Sequence, residues 1–362
     1  MADTTSPSPV EGINPNDPGI GLLARAVSDQ PAREILLVCG GDLPGVGPEA
    51  TRLVLDVREL SGSRARAVPL DLETAAQASP RFRHAIVWPR PHLGKDFSVA
   101  CLAIGALSLL PGGVLWCAAR KAKGADSLGD AMAQLMGEVD VEARTKGYRL
   151  MRARRTEAFD ADAARARVRA RYTIEDEALP GLSLRSAPGV FSRRALDAGT
   201  RQLIAHASDT VADEPGAVID LGCGVGPLGL WAAMRWPSCR VLAVDSNLLA
   251  VSLARDNVER HGLGSRVEVL ASDGLPADPP AAIVPLQGQV DLALVNPPTH
   301  ADPATLGRMA HDLRTWLSPG GLALLVVSRA GRMTEQLQHA GARVRAQPYP
   351  RYTVLQARFA RD

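Results

Sequence analysis

Val218-Ile219-Asp220-Leu221-Gly222-Cys223-Gly224-Val225-Gly226-Pro227-Leu228-Gly229 begins with the apolar residues of a buried strand and ends in a glycine-rich turn. The Leu230-Trp231-Ala232-Ala233-Met234 run behind it reads as a helix. Strand, glycine turn and helix in that order form the layout of a nucleotide site in an open α/β sheet. A side chain at Gly222 or Gly224 would hold a ligand off the backbone, and Gly226 completes the spacing. Alone, the pattern is also that of a plain strand-to-helix turn. The residues downstream give it chemistry.

Asp245 lies 25 residues beyond Asp220, at the end of the next strand, with Ser246 beside it. An acid there accepts hydrogen bonds from both ribose hydroxyls of an adenosine cofactor. Asp220 stands inside the first turn. Facing a pyrophosphate it would be repelled, whereas facing a cationic amino acid or sulfonium it is favoured. That sign argument prefers S-adenosylmethionine (SAM) over a dinucleotide. Ser272, Asp273 and Gly274 end a further strand, where Asp273 can accept from an adenine amino group; Asp before Gly is also an ordinary turn. Asn296-Pro297-Pro298 follows the apolar run of residues 290–295. The Asn296 amide oxygen and the Pro297 carbonyl both accept hydrogen bonds, and two acceptors hold an exocyclic NH2 with its lone pair aimed at a bound methyl group. Adjacent prolines stiffen the carbonyl's direction. Such a site works by placing nitrogen and methyl in line and needs no metal.

The 362 residues predict two domains, and a hydrophobic content of 46% is ample for two cores. A net charge of +2 gives no whole-chain nucleic-acid signal, so any RNA-binding patch is local. The five cysteines include no C-x-x-C pair, which argues against zinc and for reduced thiols in a cytoplasmic protein. No stretch approaches the length of a membrane span, and the first residues do not read as a signal peptide. The composition predicts a flexible segment over residues 1–30, although residues 20–27 can form a short helix. Alternating strands and helices then predict a doubly wound α/β domain over 31–155, with strands at 34–39, 65–70, 84–88, 114–118 and 148–152. An arginine-rich connection covers 156–185, read either as a solvated helix face or as a strip contacting phosphates. The second α/β domain occupies 186–362.

The two halves match. Residues 85–92, Ala-Ile-Val-Trp-Pro-Arg-Pro-His, align with 293–300, Ala-Leu-Val-Asn-Pro-Pro-Thr-His, at an offset of 208, and Pro111-Gly112-Gly113 aligns with Pro319-Gly320-Gly321 at the same offset. Residues 148–151 resemble 352–355 at an offset of 204. The inference is two tandem copies of one Rossmann-like fold, the first degenerate: Trp88 stands where Asn296 stands, and its glycine turn is scrambled.

The second half resembles the class I SAM-dependent methyltransferases through its glycine turn, Asp245, Ser272-Asp273 and Asn296-Pro297-Pro298. The chain from about residue 30 to 360 resembles the guanine-N2 group of ribosomal RNA methyltransferases, small-subunit methyltransferase C and its large-subunit relative. Their Pro-Gly-Val-Phe-Ser is present as residues 188–192, and their Leu-Asp-x-Gly as residues 196–199. The resemblance implies N2-methylation of a guanine in ribosomal RNA or the small ribosomal subunit, with SAM as cofactor and Asn296 and Pro297 gripping the amine. It also implies that Phe191 and Ser192 line the mouth. One departure is Thr299, where the family carries a phenylalanine expected to stack on the target base; His300 keeps its place. Stacking is worth about 1–3 kcal/mol per base, so another ring such as Phe191 supplies it, or the amine belongs to adenine, a glutamine side chain or a small molecule. A non-catalytic protein binding SAM or RNA is the reading from a different class.

Overall fold

Residues 217–221, all buried, form the strand that the glycine stretch predicts. The computed structural model describes residues 16–60, 66–298 and 301–359. They divide into two compact units, one running to Arg171 and including Ala187–Gly189, the other comprising Tyr172–Ser186 and the chain from Val190.

In the first unit, β1 (Ile35–Val38), β2 (Thr51–Val54), β3 (Arg66–Pro69), β4 (Phe82–Val87), β5 (Leu109–Arg120), β6 (Val139–Thr145) and β7 (Tyr148–Arg154) make one sheet in the order β3-β2-β1-β4-β5-β7-β6. The first five strands pair in parallel, and β7 runs antiparallel to β5 and β6. The unit's helices are α1 (Pro18–Ala26), α2 (Leu72–Ala76), α3 (Lys95–Ser108), α4 (Ala125–Met136) and α5 (Ala161–Val168). The second unit opens with the hairpin of β8 (Tyr172–Ile174) and β9 (Leu184–Ser186). It continues with β10 (Ala217–Leu221), β11 (Arg240–Asp245), β12 (Val267–Ala271), β13 (Val290–Val295), β14 (Leu317–Val327), β15 (Ala342–Pro348) and β16 (Thr353–Phe359), ordered β12-β11-β10-β13-β14-β16-β15. Its helices are α6 (Ala198–Thr210), α7 (Pro227–Arg235), α8 (Leu248–Arg260), α9 (Pro303–Trp316) and α10 (Ala330–His339). The two sheets have the same strand order and the same antiparallel penultimate strand, so the chain is two tandem Rossmann-like folds.

The register makes the repeat quantitative. In the first sheet Phe82 pairs with Leu109 and His84 with Val114; in the second Val290 pairs with Leu317 and Leu292 with Leu322. Every one of these positions is related by 208 residues. Both irregularities hold a Pro-Gly-Gly, which the sequence alone suggests is a turn before a strand; it is instead a bulge inside one long strand. The pairs Ala119–Arg149 and Val327–Thr353 likewise reproduce the offset of 204 on the antiparallel side. Gly321 sits there because a methyl group at its Cβ would lie 2.8 Å from the Val290 carbonyl oxygen and 3.0 Å from that of Ser318. Backbone cannot yield as a side-chain tip can. Gly321→Ala is therefore expected to destabilise the protein by about 1–3 kcal/mol, read as a lower denaturant midpoint with an unchanged slope.

Two boundaries differ from the sequence reading. The segment expected to be flexible through residue 30 contains α1, which buries Ile20 and Leu23 completely in the first core. Asp17 caps that helix through Gly19 N at 2.7 Å and accepts from the Tyr148 hydroxyl at 2.7 Å. The expected connection over 156–185 is not a separate piece. α5 packs on α3 and α2, while β8 and β9 belong to the second unit. Its arginines are largely engaged at home: Arg165 with Asp162, Arg171 with Glu73, Arg167 with the Gln134 side-chain oxygen. A solvated, internally paired face describes them better than a strip reserved for phosphates.

The second core lies between its sheet and α9 and α10, where Trp316, Leu313, Met333 and Leu337 pack on Ile219, Ala293, Leu325 and Leu355. That packing holds the carboxyl ends of β10, β11 and β13 in line. Among the described residues no helix is long and apolar enough to cross a membrane.

Candidate active site

The site is built where β10, β11 and β13 end side by side. Leu221 pairs with Val244 on one side and with Val295 on the other. The next residues on each strand, Gly222, Asp245 and Asn296, are therefore neighbours. A methyl group on Gly222 would come within 4.0 Å of the Asn296 carbonyl oxygen. Gly222 and Gly224 both adopt positive φ, 79° and 55°, so that their amides line the turn. A Cβ on Gly224 would meet no atom within 4 Å, which leaves open space against the turn.

Asp245 is locked by the backbone around it. Its Oδ2 accepts from Gly224 N at 2.8 Å and its Oδ1 from Asn247 N at 2.8 Å. Ser246 and Ser272 are half-buried beside it, and Ser272 N donates to the Asp245 carbonyl at 3.0 Å. Asp273 is exposed and faces Arg308 at 3.8 Å. Gly274 has φ of 88°, and any Cβ there would lie 2.6 Å from Asp312 Oδ2. Asp312, on α9, also accepts from Leu275 N at 3.0 Å and so shapes this loop. Asn257, fully buried on α8, does the same for the glycine turn. Its side-chain amide donates to the Val225 carbonyl at 3.0 Å and brackets Arg185 N and O. Neither residue carries a local sequence signal.

Asp220 is fully buried. Its Oδ2 accepts from Gly229 N at 2.7 Å, whereas its Oδ1 has no hydrogen-bond partner. Burial pushes its carboxyl up to about 7; the Gly229 amide opposes the rise and Asp245 adds to it. A buried acid left one donor short is stabilised by a cation or a strong donor brought by a ligand.

Asn296 is held from α6. Its Nδ2 donates to Asp197 Oδ2 at 2.9 Å and to Thr200 Oγ1 at 2.9 Å. Pro297 follows half-buried and Pro298 exposed. Phe191 and Ser192 lie in the turns that lead to α6. Phe191 is 66% exposed, the largest fraction among the exposed large hydrophobic residues. Ser192 has φ of 47° and closes its own turn by donating to the Ala195 carbonyl at 2.7 Å. Its hydroxyl is thus already engaged locally. Thr299 and His300, expected at the substrate side, lie outside the described residues. Among the described residues no cluster of three His, Cys, Asp or Glu side chains could hold a metal.

The first unit shows the same place emptied of this chemistry. Cys39 occupies the position of Gly222, with φ of 54° and its N donating to Leu53 O at 3.0 Å, as Gly222 N does to Val244 O at 2.8 Å. By register, buried Leu37 replaces Asp220, Val54 replaces Asp245 and Trp88 replaces Asn296. Arg90, only 4% exposed, bonds the Cys39 carbonyl at 3.2 Å and Glu59 at 2.9 Å. An apolar lining and an internal ion pair stand where the second unit presents acceptors.

Known proteins resemble this chain over one or both units. The family model described as Methyltransferase small domain matches residues 181–356. A ribosomal RNA small subunit methyltransferase C of Alcanivorax borkumensis is 32% identical over 178 residues, covering 48% of this chain and 51% of the relative. A ribosomal RNA large subunit methyltransferase G of Stutzerimonas stutzeri is 33% identical over 208 residues, covering 56% of this chain and 51% of the relative. The matched stretch therefore spans about half the length of these curated relatives. A solved 16S rRNA N2 methyltransferase of T. thermophilus, in complex with AdoMet and guanosine, has a TM-score of 0.77 at 22% identity and covers 95% of this chain and 92% of that one. A likeness at that identity speaks for the fold, and it extends over both units. The match to the methyltransferase small domain model thus falls on residues 181–356, the part of the chain that carries the glycine turn, Asp245 and Asn296.

Proposed function

We propose that the second unit binds SAM and directs its methyl group to an exocyclic amine, guanine N2 of ribosomal RNA. The observation that carries this reading is the adjacency of Gly222, Asp245 and Asn296 at three neighbouring strand ends. The residues present fit the cofactor. Asp245 is fixed to receive the ribose hydroxyls, the open space against Gly224 admits the donor along the backbone, and the unpartnered Asp220 Oδ1 suits the donor's ammonium. Ser246, Ser272, Asp273 and Gly274 are the residues we assign to the adenosine end. When bound, SAM supplies an electrophilic methyl carried on a sulfonium.

The remaining work belongs to the chain. Asn296 Oδ1 and the Pro297 carbonyl accept from the two amine hydrogens and turn the nitrogen lone pair toward the methyl. Pro297 and Pro298 restrict the backbone so that this carbonyl keeps its direction. The gain comes from orientation rather than from a strong base, because an aryl amine releases its proton to water after methylation. We assign the exposed Phe191 to stacking on the base; Ser192, Thr299 and His300 complete the substrate side. The buried, unbridged state of all five cysteines supports action in the cytoplasm, where ribosomal RNA resides.

The relatives named as ribosomal RNA methyltransferases support RNA as the substrate class. Thr299, in place of the family's aromatic residue, favours a second reading in which the amine lies on another substrate. Incubation with tritiated SAM and separate pools of ribosomal RNA, transfer RNA, DNA and protein tests both. Label is expected in ribosomal RNA, with N2-methylguanosine as the product after digestion. Label confined to another pool would replace the substrate assignment, and label in none would overturn the transferase reading.

A further inference from the structure

We infer that Asp197 and Thr200 are positioning residues that fix which end of the Asn296 amide faces the substrate. This rests on the reading that Asn296 grips the amine. The two ends of an asparagine amide have almost the same shape and opposite hydrogen-bonding character. With Oδ1 toward the substrate the residue accepts an amine hydrogen. After a half-turn of the same side chain, its NH2 would oppose the substrate's NH2, donor against donor. Whatever sets this choice decides whether the site works.

Here it is set by α6. Both hydrogens on Nδ2 are engaged, one by Asp197 Oδ2 at 2.9 Å and one by Thr200 Oγ1 at 2.9 Å. A carboxylate has no proton to give, so the turned amide would place its oxygen against the Asp197 oxygen and lose that bond; the Thr200 hydroxyl can serve either end of the amide, so Asp197 makes the choice and Thr200 supports it. Asn296 Oδ1 is left without a hydrogen-bond partner among the described residues.

Asp197 is itself held. The same Oδ2 caps α6 by accepting from Thr200 N at 3.0 Å, and Thr200 is 4% exposed. Gly199 makes room for this arrangement. A methyl group on it would stand 2.9 Å from Asp197 Oδ2 and 3.3 Å from the Tyr352 ring. The Leu196-Asp197-Ala198-Gly199-Thr200 segment therefore has a use beyond starting a helix: it presents a carboxylate and a hydroxyl to a residue 99 positions away.

A bland alternative is that Asp197 only caps α6. Asp197→Ser separates the two roles, because serine caps a helix about as well as aspartate but its hydroxyl is too short to hold Asn296 as well. Asp197→Ser is expected to lower kcat by roughly a hundredfold, the scale of an ångström-sized misplacement, with the SAM Kd and the unfolding midpoint near those of the unaltered protein. Asp197→Asn keeps one acceptor oxygen for both partners and is expected to restore most of the rate. Thr200→Val, which removes only the second acceptor, is expected to give a smaller loss. The deciding measurement is a single-turnover cycle with Asn296→Ala. If Asp197 acts through Asn296, then Asp197→Ser on the Asn296→Ala background causes no further loss. Equal fractional losses on both backgrounds, or unchanged kcat in Asp197→Ser and Thr200→Val, would overturn the positioning role. Undiminished transfer by Asn296→Ala alone would instead overturn the assignment of Asn296.

Discussion

Asn296→Ala is expected to reduce methyl transfer by roughly 10²–10³-fold, the scale seen when one preorganised polar contact to a reacting group is deleted. In the proposed site the substitution removes the amide oxygen assigned to accept from the amine and leaves the Pro297 carbonyl as a single acceptor. One hydrogen bond lets the amine rotate, and the lone pair is then no longer fixed on the methyl. It also strands Asp197 and Thr200, which lose the donor between them. Both remain tied to α6 through the Thr200 N bond, so the fold is expected to stand. SAM binding is expected to persist, because Asp245, Asp220 and the glycine turn are untouched. Calorimetry with the donor and its demethylated product, beside a tritium-transfer assay, separates the two quantities. Loss of binding together with transfer would make Asn296 a structural residue, and full transfer would remove it from the chemistry.

The second large effect concerns pH and Asp220. Burial raises its carboxyl from 3.8 to about 7. In the unliganded protein the folded state therefore holds a proton that the unfolded chain has released. The acid's contribution to stability falls as pH rises from about 4 through 7, and the loss is complete above that. Donor binding runs the other way. An ammonium near the unpartnered Oδ1 favours the ionised acid, so affinity for SAM is expected to rise as pH passes through about 7 and then level. Proton release on binding is expected in the same window. Asp220→Asn carries no charge at any pH. Its unfolding midpoint is expected to vary less with pH than that of the unaltered protein, and its donor affinity at pH 8 to be lower by at least about tenfold, the equivalent of one pKa unit of interaction. Calorimetry between pH 5.5 and 8.5 in buffers of different ionisation enthalpy measures both. An affinity in the unaltered protein that does not change across this range would exclude Asp220 from the donor site.

Much of this arrangement is legible in the chain because it is local. The glycine turn, Asp245 and Asn296-Pro297-Pro298 each follow an apolar run, and the parallel registers Leu221–Val244 and Leu221–Val295 bring them together without long-range information. The repeat at 208 is legible because it conserves a bulge that both sheets need. Strands at the sheet's margins are less visible. β2 is only four residues long, and β15 is mostly exposed, so neither carries a continuous buried run. α10 buries only Met333 and Leu337, too few to mark a helix. α1 is legible as a short helix over residues 20–27, but the polar composition around it hides that Ile20 and Leu23 are fully buried. The pairs that tune the site are not legible at all. Asp197 meets Asn296 across 99 residues, and Asp312 meets Leu275 across 37, and no spacing rule connects either pair.

The occupied end of β1 has an evolutionary consequence. Reviving transfer in the amino-terminal copy would require an acid at Leu37 and another at Val54, an amide at Trp88, and the removal of Arg90 together with a new neutral partner for Glu59. Each change made alone buries an uncompensated charge or opens a hole in a filled core. Single steps on that route are expected to lower stability, so the filled end of β1 opposes each of them. The outer surface of the first unit can change while the end of β1 stays filled.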